Sequence, residues 1–287
     1  MWQLLILFYF LFGSVSYMLR RELAQKLPEQ NRVINSIFFL YFLLPAGLIL
    51  SFFFPHNLEV GWFNFALLLF GSIIWPLFYI VAFNANKEVD AGIFAIINNL
   101  SPIATLTIAL PFLGESVTTY QYLGIGLLVL SGILAASSQL RGSAKSSRNG
   151  ILLCVLSAAV LGIAVAYERW MLGRVDFGAY LIFGWGAQIA WSLFLARKDL
   201  RQMPVLLRAS EMRNSIVAWG TSSTLRSISF ILALKLSGSA SLISAASDFM
   251  SVAVVIAAYF YLREREHLLA KSMAAIVGVG GLLLITG

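Results

Sequence analysis

The chain has 287 residues, 60% of them apolar and only 11% charged, with a net charge of +7, two histidines and one cysteine. Its mean hydropathy of +0.85 exceeds what the core of a soluble domain absorbs, so an all-α integral membrane protein is expected, and the positive charge reads as an orientation signal rather than a nucleic-acid surface. The lone Cys154 excludes an intramolecular disulfide, His56 and His267 are too far apart in sequence to begin a metal set, and neither a GxxxxGK[ST] loop nor a histidine within an apolar span is present to drive ATP or nucleophile chemistry.

Apolar runs of about 20 residues, long enough at ~1.5 Å per residue to cross a ~30 Å hydrocarbon layer, fall at 2–19, 33–54, 61–83, 91–111 and 119–138. After a Ser- and Gly-bearing linker at 141–149 they resume at 150–172, 178–196, 214–234, 240–261 and 268–286. The first run has its basic residues after it rather than before it and lacks a small-residue cleavage site, so it is expected to stay as a first helix. Pro76, Pro102, Gly184 and Gly186 interrupt three runs, which neighbouring helices tolerate by satisfying the freed backbone groups. The longest polar connection, from Arg197 to Arg213, mixes Leu200, Met203, Val205, Leu206 and Leu207 with five basic residues and reads as a short interfacial segment.

The two sets of five are one pattern written twice with a constant offset. Gly13 falls on Gly162, Arg20 on Arg169, Gly71 on Gly220, Ala91 on Ala240, Leu113-Gly114-Glu115 on Leu262-Arg263-Glu264, and Gly132 on Gly281. Five spans is an odd number, so the copies must cross in opposite senses. The expected architecture is ten transmembrane helices as two inverted five-helix repeats, 1–140 and 150–287, an arrangement that gives secondary transporters two pseudo-equivalent states.

Basic residues orient the chain. Sixteen of the 20 Lys and Arg fall in the connections after odd-numbered spans, three (Arg169, Arg174, Lys235) follow even-numbered ones, and Arg226 lies inside a span. Since Lys and Arg near span ends stay in the cytoplasm, both termini are expected on the non-cytoplasmic side of a bacterial cell membrane.

The small-residue start Asp90-Ala91-Gly92, the helix carrying Leu100-Ser101-Pro102, then Leu113-Gly114-Glu115 and a final helix with Gly124, Gly126 and Gly132 resemble an EamA-type repeat of the drug/metabolite transporter superfamily. A degenerate copy runs through Ala240, Asp248, Leu262-Arg263-Glu264, Gly278, Gly280 and Gly281. The resemblance implies a carrier of small metabolites with a central cavity and alternating access. It also implies cytoplasmic termini, with basic loops after spans 2 and 4. Those loops hold no Lys or Arg here, so an inverted member is expected.

Charges at membrane depth point to the transport site, because each is expensive there without a partner or water. Arg226 lies nine residues before Lys235, and Asp248 nine residues after Ser239, so both are roughly 13 Å below one surface. Their repeat-one counterparts are Leu77 and Asn99. An arginine fork for an anionic group and a carboxylate for a cationic one suit a zwitterion; a structural Arg226–Asp248 bridge is the other reading. Asn98, Asn99, Ser222, Ser244 and Ser247 add polarity to the same region, and Trp75 and Tyr79 offer stacking walls. Small hydroxylated residues also serve helix packing, and aromatic residues also mark interfaces. Glu168 and Arg169 read as an interfacial pair or an extracellular gate.

The expected function is secondary transport of a small polar or zwitterionic, amino acid-like solute, without ATP or a cofactor, with protons as the candidate coupling ion. The alternatives are a nucleotide-sugar, purine or drug carrier, and a non-transporting membrane subunit that assists assembly or binds a lipid carrier.

Overall fold

The computed structural model describes residues 2–55, 57–113, 118–142, 148–248, 250–262 and 268–286, without the side chains of 113, 121, 135–142, 245, 248, 262, 268, 271, 282, 285 and 286. Gly114, Glu115, Arg263, Glu264, His56, His267 and residues 143–147 of the linker therefore lie outside the described residues. The described chain is helical and contains no strand, as expected where no water is available to satisfy free backbone groups.

In chain order the helices are α1 (Trp2–Lys26), α2 (Asn31–Ser51), α3 (Trp62–Glu88), α4 (Ala91–Phe112), α5 (Thr119–Gly142), α6 (Arg148–Leu172) and α7 (Phe177–Ala196). They continue with α8 (Ser210–Ser237), α9 (Ala240–Asp248), α10 (Met250–Ala257) and α11 (Leu268–Thr286). Among the described residues α1, α2, α3, α4, α6 and α7 are long and apolar enough to cross a membrane. Short helical turns at Leu200–Gln202 and Met203–Arg208 form the connection before α8, with Leu206 buried and Val205 exposed.

Burial is inverted relative to a soluble protein. Trp62 and Phe52 on the outside are 83% and 80% exposed, while Asn35, Asn98, Asn99, Thr105, Gln188, Ser223 and Arg226 are buried. Apolar side chains that face outward have a favourable solvent only in lipid, so polarity collects where helices meet. Ser16 on α1 shares a hydrogen bond with Ser223 on α8 at 2.7 Å, and Thr105 on α4 bonds the Gly162 carbonyl of α6 at 3.2 Å and meets Ser244 of α9 at 3.2 Å.

Helix partners follow a pattern. α1 packs on α8 as α3 packs on α6; α4 lies on α6 as α10 lies on α1; α2 meets α7, α4 meets α9, and α5 meets α11. Glycine permits two of these approaches: a Cβ on Gly13 would meet Met250 Sδ, and one on Gly162 would meet the Ser101 carbonyl, with Thr105 N at 2.8 Å. α8 ends at Gly238, whose φ of 73° places it in the left-handed region that a helix C-terminus favours.

Two basic residues leave the connection after the first span. Arg20 and Arg21 were expected in the connection after the first span, but α1 runs on to Lys26 and both arginines are buried. Arg21 sits 3.7 Å from Asp90 and donates to the Asn86 carbonyl, tying the end of α1 to α3 and the start of α4.

Candidate solute-binding cavity

The inward faces of α1, α2, α3, α4, α6, α7, α8 and α9 converge on one cavity. Its linings have helical spacing: Trp75, Phe78 and Tyr79 on α3, Leu161, Val165 and Glu168 on α6, and Arg226, Ser227, Phe230 and Ile231 on α8. A π turn at Phe39–Leu43 in α2 begins where Phe38 and Phe39 both face inward, a local widening of the kind that often marks functional sites. The open space is ≈ 40 Å³, enough for a few waters and too narrow for an amino acid-sized solute.

Arg226 is the cation of this space. It is 5% exposed, and its Nη2 donates to Tyr79 Oη at 2.9 Å. The guanidinium carbon lies 6.0, 5.8 and 6.0 Å from the ring centroids of Tyr9, Tyr17 and Tyr79, at the outer limit of cation–π attraction. Tyr79 is itself held among Phe38, Phe39, Phe78 and Trp219, with centroids at 5.1, 5.5, 5.3 and 6.2 Å. The residue that orients the arginine therefore comes from the other half of the chain, on α3.

Glu168 is the acid of the same space. It was expected at the membrane interface beside Arg169, yet it is only 3% exposed, lines the cavity, and accepts a hydrogen bond from Tyr180 Oη on α7 at 2.8 Å. Residue 168 falls on the Leu161 and Val165 stripe of α6, which turns inward, so adjacency to Arg169 in sequence does not put the two on one face. Among the described residues neither Arg226 nor Glu168 forms an ion pair.

Of the residues singled out in the sequence, Arg226, Trp75, Tyr79, Ser244 and Ser247 line the cavity. Ser222 instead donates to the Trp219 carbonyl one turn back on its own helix at 3.0 Å, and Asn99 donates to Ser251 Oγ at 2.9 Å. Asn98 is buried outside the lining, and the Asp248 side chain lies outside the described residues. Glu168, taken in the sequence for an interfacial pair or a gate, lines the cavity together with Gln188, Phe38, Phe39 and Trp185, which the sequence did not single out. The i, i+4, i+7 stripe ending in an acid on α6 was the available signal for Glu168.

An apolar helical chain with a polar, aromatic-walled centre has the physical form of a membrane carrier, and residues 1–137 match the family model of EamA-like transporters. Residues 1–137 are thus similar to an EamA-like transporter domain. That match, over a little less than half of the chain, is consistent with the drug/metabolite transporter superfamily. The EamA match covers α1 to most of α5 and stops before α6. A comparison with curated proteins finds no match.

Proposed function

We propose that the chain is a ten-helix secondary transporter, two inverted EamA-like repeats at 1–140 and 150–287, that moves a small zwitterionic solute with an apolar side chain by alternating access. The observation that carries this reading is one buried cavity lined by a guanidinium and a carboxyl that form no ion pair among the described residues, together with the rings of Phe38, Phe39, Trp75 and Tyr79. Arg226 takes the anionic end of the solute, Phe38, Phe39, Trp75 and Tyr79 its apolar body, and Glu168, with Asp248 as the acid expected nearby, its cationic end.

The exchange of helix partners supports two pseudo-equivalent halves. Replacing each helix of one half by its counterpart turns the α1 and α8 contact into that of α6 and α3, and leaves the α2 and α7 pair unchanged. In an inverted repeat such an exchange converts an opening on one face into an opening on the other. The narrow cavity then corresponds to a closed intermediate, which the solute must widen. The remaining basic connections favour termini on the non-cytoplasmic side even with Arg20 and Arg21 removed from the count.

The test is a thermal-shift screen of the purified chain against amino acids, amines and carboxylates, followed by exchange of the best ligand in proteoliposomes. A ligand at ~100 times its Kd stabilises the folded state by roughly 2.7 kcal/mol. A flat response to amino acids, with stabilisation by nucleosides or nucleotide sugars, would replace the zwitterion with a base-stacking solute.

A further inference from the structure

Beyond the cavity, behind Tyr17, lies a second arginine that the transport reading does not use. Arg20 is 1% exposed, and its guanidinium carbon stands 4.4 Å from the Tyr17 ring centroid and 4.7 Å from that of Phe94. Its Nε and Nη2 are buried with no hydrogen-bond partner among the described residues. Those two nitrogens share one edge of the guanidinium plane, the edge that grips both oxygens of a carboxylate or two oxygens of a phosphate. Rings thus flank the group, and no atom among the described residues accepts a hydrogen bond from that edge.

The surroundings favour an anion there. Among the described residues the charged group that acts on Arg20 is Arg226, which lies 5.8 Å from the same Tyr17 ring, while Arg21, next in the chain, is engaged with Asp90 and the Asn86 carbonyl. Two buried cations flanking one tyrosine repel each other, and leaving both desolvated is costly unless a negative group visits. Asn98 stands one helical turn beyond Phe94 on α4, with Nδ2 and Oδ1 both buried and unpartnered among the described residues. Tyr17 lines the cavity, and Arg20 is one turn farther along α1, about 4.5 Å nearer its Lys26 end.

We infer that Arg20 is a second anion station on the translocation path, and that the carboxylate or phosphate of the solute passes from Arg226 to Arg20 around the Tyr17 ring as the carrier changes face. This rests on the transport reading above, and adds that the recognised end of the solute is a planar pair of anionic oxygens met twice.

The full chain in nanodiscs of zwitterionic lipid is titrated with sodium benzoate and with inorganic phosphate, each against sodium chloride at equal ionic strength, with unfolding temperature as the readout. In the parent, benzoate or phosphate stabilises beyond chloride; which one does so identifies a carboxylate or a phosphate end. Arg20→Met, which removes an unpaired buried charge, keeps or raises the unfolding temperature without anion, yet shifts the anion midpoint at least tenfold higher. Arg20→Lys keeps the charge without the fork and gives a smaller shift in the same direction, which decides the matter if Arg20→Met does not fold. An unchanged midpoint in these variants, or a parent indifferent to both anions, overturns the second station. Loss of the response in Arg226→Met alone also overturns it while leaving the transport reading intact. Absence of solute exchange in proteoliposomes alongside an Arg20-dependent anion response would instead refute the transport reading.

Discussion

Arg226→Lys separates recognition of the solute from structural support. The parent guanidinium spends one donor on Tyr79 at 2.9 Å and faces the cavity with its remaining edge. Lysine preserves the charge and can still donate to Tyr79, but it has no planar pair of donors. If the solute carboxylate is held by two parallel charge-assisted bonds, losing one removes about 1.5–3 kcal/mol, and at 1.4 kcal/mol per decade Kd rises roughly 10-fold to 150-fold. The unfolding temperature without solute should move little, because charge and tyrosine contact both survive. Tyr79→Phe is the control for a purely structural arginine: it strips the hydrogen bond from a buried cation and should destabilise by about 1–3 kcal/mol. The readouts are ligand titration of the unfolding temperature and counterflow in proteoliposomes. Unchanged affinity and transport in Arg226→Lys would refute direct contact, and a loss of stability as large as that of Tyr79→Phe would assign Arg226 to the scaffold.

The two equivalent glycines should differ in tolerance: Gly13→Ala meets the flexible Met250 side chain, whereas Gly162→Ala meets the Ser101 carbonyl and Thr105 N of α4. Overpacking of this kind costs about 1–3 kcal/mol, so Gly162→Ala should lower the unfolding temperature more, and equal losses would contradict the packing described. Glu168→Gln keeps an acceptor for Tyr180 and should leave the fold intact while weakening solutes that carry an ammonium group, with deaminated analogues unaffected; equal weakening of both would show that Glu168 does not contact the cationic end. Asp248→Asn should diminish proton-driven accumulation while exchange remains measurable, and full retention of both would remove Asp248 from the mechanism. A C-terminal alkaline phosphatase fusion should be active and a C-terminal green fluorescent protein dark; the reverse pattern would place the termini in the cytoplasm.

The apolar helices and the EamA-type pattern of residues 1–137 were legible without coordinates because both depend on local or linear properties. A run of about 20 apolar residues must become helix in lipid whatever its neighbours are. A spaced pattern of small and acidic residues is readable along the chain, and an arginine within an apolar run is conspicuous there because lipid makes its burial expensive. The EamA match over residues 1–137 rests on the same linear information.

Side-chain direction was decided only by tertiary packing. Each residue turns the helix by about 100°, and nothing in one helix says which azimuth meets the centre until its partners are placed. Packing turned Glu168 inward toward the cavity and left Ser222 bonded to its own helix. It supplied Tyr79, from α3, as the partner of Arg226, and it carried Arg20 from an apparent loop charge to a buried position between Tyr17 and Phe94. The sequence determined that the apolar runs would be helices; the angles at which α1, α3, α6 and α8 meet determined which polar residues share a cavity, because in lipid polar groups are stabilised only where neighbouring helices face one another.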